Sequence, residues 1–272
     1  MSDRATVIYY YDGTYDGLMC CIFESFARKE MPIHIFSFQN EQATLFSVRE
    51  IITDCRKAVR VRKAILQKIS SQAAEIVRLA FLTCEPEKEL MILKFLRLGF
   101  HYGPAVTQML ARPTVSKIQK SVRFLLNERH RIIEFLRFSD YGGNLVAIIK
   151  PKNCVLPLIG THFCTRFPEE SFLIYDKSYG IALIYRPPSY KIFPVEDLEL
   201  PPVGEEEQKY RALWKLFYNT VAIQGRYNPQ CRRNHMPKRY WEYLTELGKE
   251  PEIQRIQNSE IPDSSSFKAF LK

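Results

Sequence analysis

The feature that most constrains this chain is a change of hydrophobic period near its middle. From Asp54 to about Arg129 the apolar residues recur at three- and four-residue steps, as in Ala58, Val61, Ile65 and Ile69, then Ala73, Val77, Ala80, Phe81 and Cys84, then Val115, Ile118, Val122 and Leu125. Leu90–Leu98 is apolar on most faces and reads as a central helix. A short helix is expected through Val106 and Leu110, broken at Pro113. Beyond it the period falls to two. Ile132–Phe138 and Leu145–Ile149 flank Asp140-Tyr141-Gly142-Gly143-Asn144, a hairpin signal, and Phe172–Tyr175, Ile181–Tyr185 and Tyr190–Phe193 read as three more strands. Leu156–Phe167 reads as a helix between them. That order argues an antiparallel sheet with one helix packed on it.

The two ends add to this. Val7–Tyr11 is a buried-strand pattern closed by Asp12-Gly13-Thr14, a helix follows on Leu18, Ile22 and Phe26 until Met31-Pro32, and Ile33–Phe38 supplies a second strand, so the chain opens as a β-α-β unit. After a connector over 196–204, Glu205, Glu206 and Glu207 suit the first turn of a helix with a wide apolar face of Tyr210, Leu213, Trp214, Phe217 and Val221. Pro237 opens a shorter helix through Tyr240, Trp241 and Leu244. The expected class is α+β, one compact unit divided as 1–54 (β-α-β unit), 55–130 (helical subdomain), 131–200 (antiparallel sheet with one helix), 201–260 (C-terminal helices) and 261–272 (tail).

The apolar stretches fall far short of the roughly 20 residues that a spanning helix needs, and Asp3 stands where a signal peptide would carry its apolar core. A cytoplasmic protein with no membrane partner is expected. Seven cysteines without a C-x-x-C pair, and five histidines without metal-ligand spacing, lead us to expect no metal and no cofactor. The adjacent Cys20 and Cys21 suit buried reduced thiols.

A net charge of +9 favours a polyanionic partner if the charge is concentrated. It is concentrated twice. Gly225–Trp241 carries Arg226, Arg232, Arg233, Lys238 and Arg239 without an acid, interleaved with Tyr227, His235, Tyr240 and Trp241. Guanidinium groups bind phosphates bidentately and aromatic faces take unstacked bases, so this mixture suits single-stranded or distorted nucleic acid. Helical spacing groups Trp241 with Leu244, which predicts Trp241 inward and Arg232 with Arg239 outward. Arg56, Arg60, Lys63 and Gln67 share one helical face opposite the apolar stripe. The turn around Asp12 and Asp16 matches no phosphate-binding fingerprint and reads as turn-and-cap chemistry. No catalytic centre is evident; Asp12, Asp16 and His162 are the only acid/base candidates kept.

Three stretches, YYYDGTYDGLMCCIFESF, FLRFSDYGGNLVAIIKPKNCVLPLIGTHFCTRFPEESFLIYDKSYGIALIY and RYNPQCRRNHMPKRYWEYL, resemble the bacterial "probable DNA metabolism protein" family over about residues 5–247. That family is a domain of unknown function found beside a radical-SAM protein of DNA repair or modification, and a similar domain is fused to uracil-DNA-glycosylase-like domains. The resemblance implies a DNA-repair setting without an activity of its own. The expected function is an accessory nucleic-acid-binding protein that presents DNA to a radical-SAM partner and is catalytically silent alone. The alternatives are a glycosylase-like enzyme acting on damaged or modified bases, and a purely protein-binding adaptor.

Overall fold

The computed structural model describes residues 7–38, 45–196 and 198–247. The expected tail over 261–272 lies outside them. The architecture is α+β, with eight strands in two sheets among the described residues and helices packed on both sheets.

The first sheet runs β2-β1-β3 and is parallel throughout, from β1 (Val7–Tyr11), β2 (His34–Ser37) and β3 (Ser47–Glu50). β1 is buried along its whole length because it is the middle strand, and α1 (Tyr15–Ala27) makes the crossover to β2. The β-α-β opening is therefore present. β3 is an addition that the alternation rule misses, since Ser47, Arg49 and Glu50 place polar groups on a mostly exposed edge.

The helical layer follows as α2 (Cys55–Lys68), α3 (Ser71–Phe81), α4 (Lys88–Tyr102) and α5 (Pro113–Phe135). The predicted stripes of α2 and α5 are buried, and so are Ala73, Val77 and Ala80 of α3. Cys84 of the second stripe lies beyond α3 and is exposed. α4 packs against α2, α3, α5 and β2, which is why it is apolar on most faces. Gly99 lets α4 approach α2: a Cβ there would stand 2.6 Å from Cδ1 of Ile69. The short helix expected through Leu110 is a 3-10 turn over Gly103–Gln108.

Two expectations are corrected in the second sheet. No strand forms over Ile132–Phe138, because α5 continues to Phe135 with Ile132 on its buried stripe, and β4 is only Ser139–Asp140. The sheet, β4-β5-β6-β7-β8, is mixed rather than antiparallel: β5 (Leu145–Ile149) and β6 (Phe172–Asp176) run parallel, because α6 (Leu156–Arg166) carries the chain back between them. β6, β7 (Ile181–Arg186) and β8 (Ser189–Pro194) are antiparallel as expected. α6 lies close on β7 and β8, where a Cβ on Gly160 would meet Cδ1 of Leu183 at 2.8 Å.

A continuous cluster of buried apolar residues runs from Val7 to Tyr240, and a smaller one of Val146, Leu173, Tyr175, Ala182 and Val195 packs beneath Leu198 and Leu200 of the connector. Two further helices follow among the described residues, α7 (Glu205–Val221) and α8 (Pro229–His235), and then a 3-10 turn over Lys238–Tyr243 where the spacing predicts a short helix. Among the described residues no helix is long and apolar enough to cross a membrane.

Candidate nucleic-acid interface

α2 starts where the Asp54 carboxylate accepts the backbone N–H of Arg56 at 2.7 Å and of Lys57 at 3.4 Å, satisfying two donors of its first turn. Its apolar stripe then fixes which cations face solvent. Lys57 and Arg62 lie on the flank toward α1, where they pair with Glu24 (2.7 Å) and Asp16. The hydrogen bond from Lys57 is the main reason that Glu24 titrates below the usual carboxylate range. Arg56, Arg60, Lys63, Gln67 and Lys68 remain exposed along one face of α2, around the exposed Val59. Arg60 rests 5.6 Å from the Phe23 ring, and Arg56 and Lys63 have no acidic partner among the described residues.

The C-terminal basic segment divides in two. Arg226, Tyr227, Arg233 and Lys238 are exposed. Arg232 is half-buried, its guanidinium 5.6 Å from the Tyr227 ring and 5.0 Å from that of Trp241, with Lys238 6.0 Å from Trp241 on its own account. Trp241 is half-buried and donates through Nε1 to the Met236 carbonyl at 2.9 Å, but the aromatic that enters the core is its neighbour Tyr240, where the spacing predicts Trp241. Arg239 does not face outward. Its guanidinium reaches the buried Glu128 at 2.8 Å, beside the Tyr240 hydroxyl at 3.2 Å from the same carboxylate. Arg239 therefore holds the C-terminal segment to the body and is not available to a phosphate.

Glu128 and its surroundings escaped the sequence reading. This carboxylate is 1% exposed and accepts from the backbone N–H of Lys152 (3.0 Å) and Asn153 (2.8 Å), the Asn153 amide (2.6 Å), Arg239 and Tyr240. The Asn153 side-chain oxygen accepts from the Cys84 N–H at 2.9 Å, so one network ties the α3–α4 turn, α5, the chain before α6 and the C-terminal segment together. The sequence signal was an acid on an apolar stripe, three residues past Leu125. Asp176 ends β6 nearby, fully buried. Its Oδ1 accepts from the N–H groups of Ser178 (2.9 Å) and Tyr179 (3.3 Å), and its Oδ2 has no hydrogen-bond partner. Burial is the main cause that pushes its pKa up to about 7, with the charge of Glu128 adding to the rise and the two backbone bonds opposing it.

The three acid/base candidates are not brought together. Asp12 accepts from the N–H (2.9 Å) and hydroxyl (2.7 Å) of Thr14 and from the Thr53 hydroxyl (2.7 Å). Burial raises its pKa, but these bonds outweigh it and hold the carboxylate below its ordinary range. Thr14 itself caps α1 by accepting from the Gly17 N–H at 3.0 Å. Asp16 is paired with Arg62. His162 is exposed at a cavity of about 480 Å³ whose lining includes Arg137, Arg166, Phe138, Phe163 and Phe167 but neither aspartate. Among the described residues no group of three His, Cys, Asp or Glu side chains is arranged to hold a metal ion. All seven cysteines are free, and burial pushes the Cys21 thiol far up, which leaves it protonated at neutral pH.

The model of a protein family described as a domain of unknown function, DUF4130, matches residues 86–246. This stretch holds Glu128, Asn153, Arg239 and the C-terminal basic segment, but neither Cys84 nor α2. No curated protein and no solved structure matches the chain.

Proposed function

The chain belongs to the DUF4130 family of unknown function, and from that premise we propose that it is an accessory protein of DNA repair or modification that binds single-stranded or distorted DNA and presents it to a radical-SAM enzyme. The observation that carries the DNA-binding part is the face of α2. The two acids of α1 neutralise Lys57 and Arg62, while Arg56, Arg60 and Lys63 have no acidic partner among the described residues and stand at helical spacing along one exposed face of α2, as a phosphate-tracking surface requires. Arg233 and Lys238, exposed beside the Arg232–Trp241 stack, supply a second cationic surface with an aromatic component. The radical-SAM partner rests on the family resemblance alone.

Fluorescence anisotropy with a labelled single-stranded oligonucleotide tests this reading across a salt series. Reversing Arg56, Arg60 and Lys63 to Glu should weaken binding at least about tenfold for all sequences alike and flatten the salt slope by roughly 2, at about 0.7 per lost single-strand phosphate contact. Binding that ignores salt, or that survives the triple variant unchanged, would remove α2 from the interface.

One observation favours a base-modifying enzyme as the second reading: the cavity at His162 combines three phenylalanines with two arginines, a setting that suits a flipped base. Base release by the pure protein that disappears in His162→Ala would support it.

A further inference from the structure

α7 is an amphipathic helix whose apolar side is left open. The side carrying Glu207, Arg211, Trp214 and Tyr218 leans on the body: Glu207 accepts the Asp140 N–H at 3.3 Å, Arg211 bonds the Ser139 hydroxyl, and the Trp214 indole N–H donates to Glu246 at 3.1 Å. The neighbouring side does not. Tyr210, Leu213, Leu216, Phe217 and Val221 are each between 56% and 69% exposed, and Ile223 and Tyr227 continue the patch at 61% and 68%. With the exposed part of Trp214 this surface amounts to on the order of 1,000 Å², above the few hundred Å² of an ordinary monomer's largest patch and close to the roughly 800 Å² per partner of a standard interface.

The charge at its two ends says what fits it. Glu205 and Glu206 are exposed at the N-terminal end, and Arg226 is exposed just beyond the C-terminal end. We infer that α7 pairs antiparallel with α7 of a second copy of this chain. A two-fold axis between Lys215 and Leu216 brings Tyr210 opposite the partner's Val221 and Trp214 opposite the partner's Phe217, and it sets the acidic N-terminal end of each α7 toward the end of the other beyond which the chain continues to Arg226. The register satisfies the aromatic and aliphatic contacts, and the antiparallel sense brings the acidic and basic ends of the two copies near each other. Trp214 and Phe217 are already stacked within one copy, with ring centroids 5.7 Å apart, so the two copies close a four-ring cluster at the centre.

The test uses the full chain without DNA, by sedimentation equilibrium over a concentration series. A reversible dimer is expected, and Leu213→Glu with Phe217→Glu should make it monomeric at an unchanged melting temperature of the monomer. Glu205→Arg with Glu206→Arg should weaken the dimer at least about tenfold, Arg226→Glu should do the same, and combining all three should restore it, as only a charge pair across the two-fold axis would. Leu216→Cys, next to the axis, should form a disulfide-linked dimer under mild oxidation, whereas Gln208→Cys, whose copy lies about 22 Å away along the helix axis at 1.5 Å per residue, should not. A chain that stays monomeric at every concentration, its apolar side covered by residues 248–272 or reserved for a different protein, overturns the inference. So does a dimer indifferent to all these changes. The Arg56, Arg60 and Lys63 variants leave the dimer untouched, so its failure and the failure of DNA binding are read separately.

Discussion

α2 and α7 carry the same kind of pattern, a helical stripe of apolar residues with charges around it, yet the molecule uses them in opposite ways. In α2 the stripe of Ala58, Val61 and Ile65 is buried in the core and the cations face water. In α7 no residue is buried, and the apolar side itself faces water. Amphipathicity states that a face has to be covered; it does not say by what. In α2 the cover is the rest of the chain, so the informative face is the charged one. In α7 the apolar face carries the information, because nothing described within the chain covers it.

The largest expected effect tests what holds the C-terminal region to the body. Arg239→Ala leaves Glu128 buried without its cation and should cost about 3–5 kcal/mol in urea unfolding. A loss below about 1 kcal/mol would mean that the region is held by something other than this pair. Next comes the direct contrast between the two helices. Ile65→Ala should destabilise by roughly 2–5 kcal/mol, whereas Leu213→Ala should change monomer stability by less than about 0.5 kcal/mol when measured at dilution. Equal losses would erase the difference on which the comparison stands.

The smallest effect concerns the sheet side of the body and depends on pH. Asp176 is protonated in the folded protein up to about pH 7, whereas in the unfolded chain it ionises near 3.8. Between those values the folded state binds the extra proton, so its contribution to stability is present below about pH 4 and is lost as pH rises toward 7. Asp176→Asn keeps an acceptor for the Ser178 and Tyr179 N–H groups and has no proton to lose. It should exceed the parent by on the order of 2 kcal/mol at pH 8, with the gap closing as pH falls. A constant gap across pH would show that ionisation is not the cause.

Much of this was legible from local pattern. The buried stripes of α2 and α5, the parallel β1–β2 pair and the strands β6 to β8 follow from spacing and turn residues. The strand expected at Ile132–Phe138 failed because Ile132, Ile133 and Phe135 suit either state, and only the continuation of the stripe from Leu125 through Glu128 to Ile132 decides it for helix. The parallel β5–β6 pair was missed because a helix between two strands was read as packing on the sheet when it also reverses the chain direction. Arg239 was placed outward because its partner, Glu128, lies 111 residues away, and no local pattern reports a partner at that distance. The α2 cations were legible for the opposite reason: their apolar stripe is local and fixes the face opposite to it.

The central position of α4 has a consequence for the order of events as the chain is made. β1, α1, α2 and α3 leave the ribosome first, carrying Leu18, Met19, Ile22, Ile65 and Val77, all of which end up in the same core as Ile92, Leu93, Phe95 and Leu96 of α4. Until α4 has been synthesised and cleared the exit tunnel, those faces have nothing to close on. Nascent chains stalled before Lys88 would thus be sticky clients for chaperones, and adding the fifteen residues of α4 would release them.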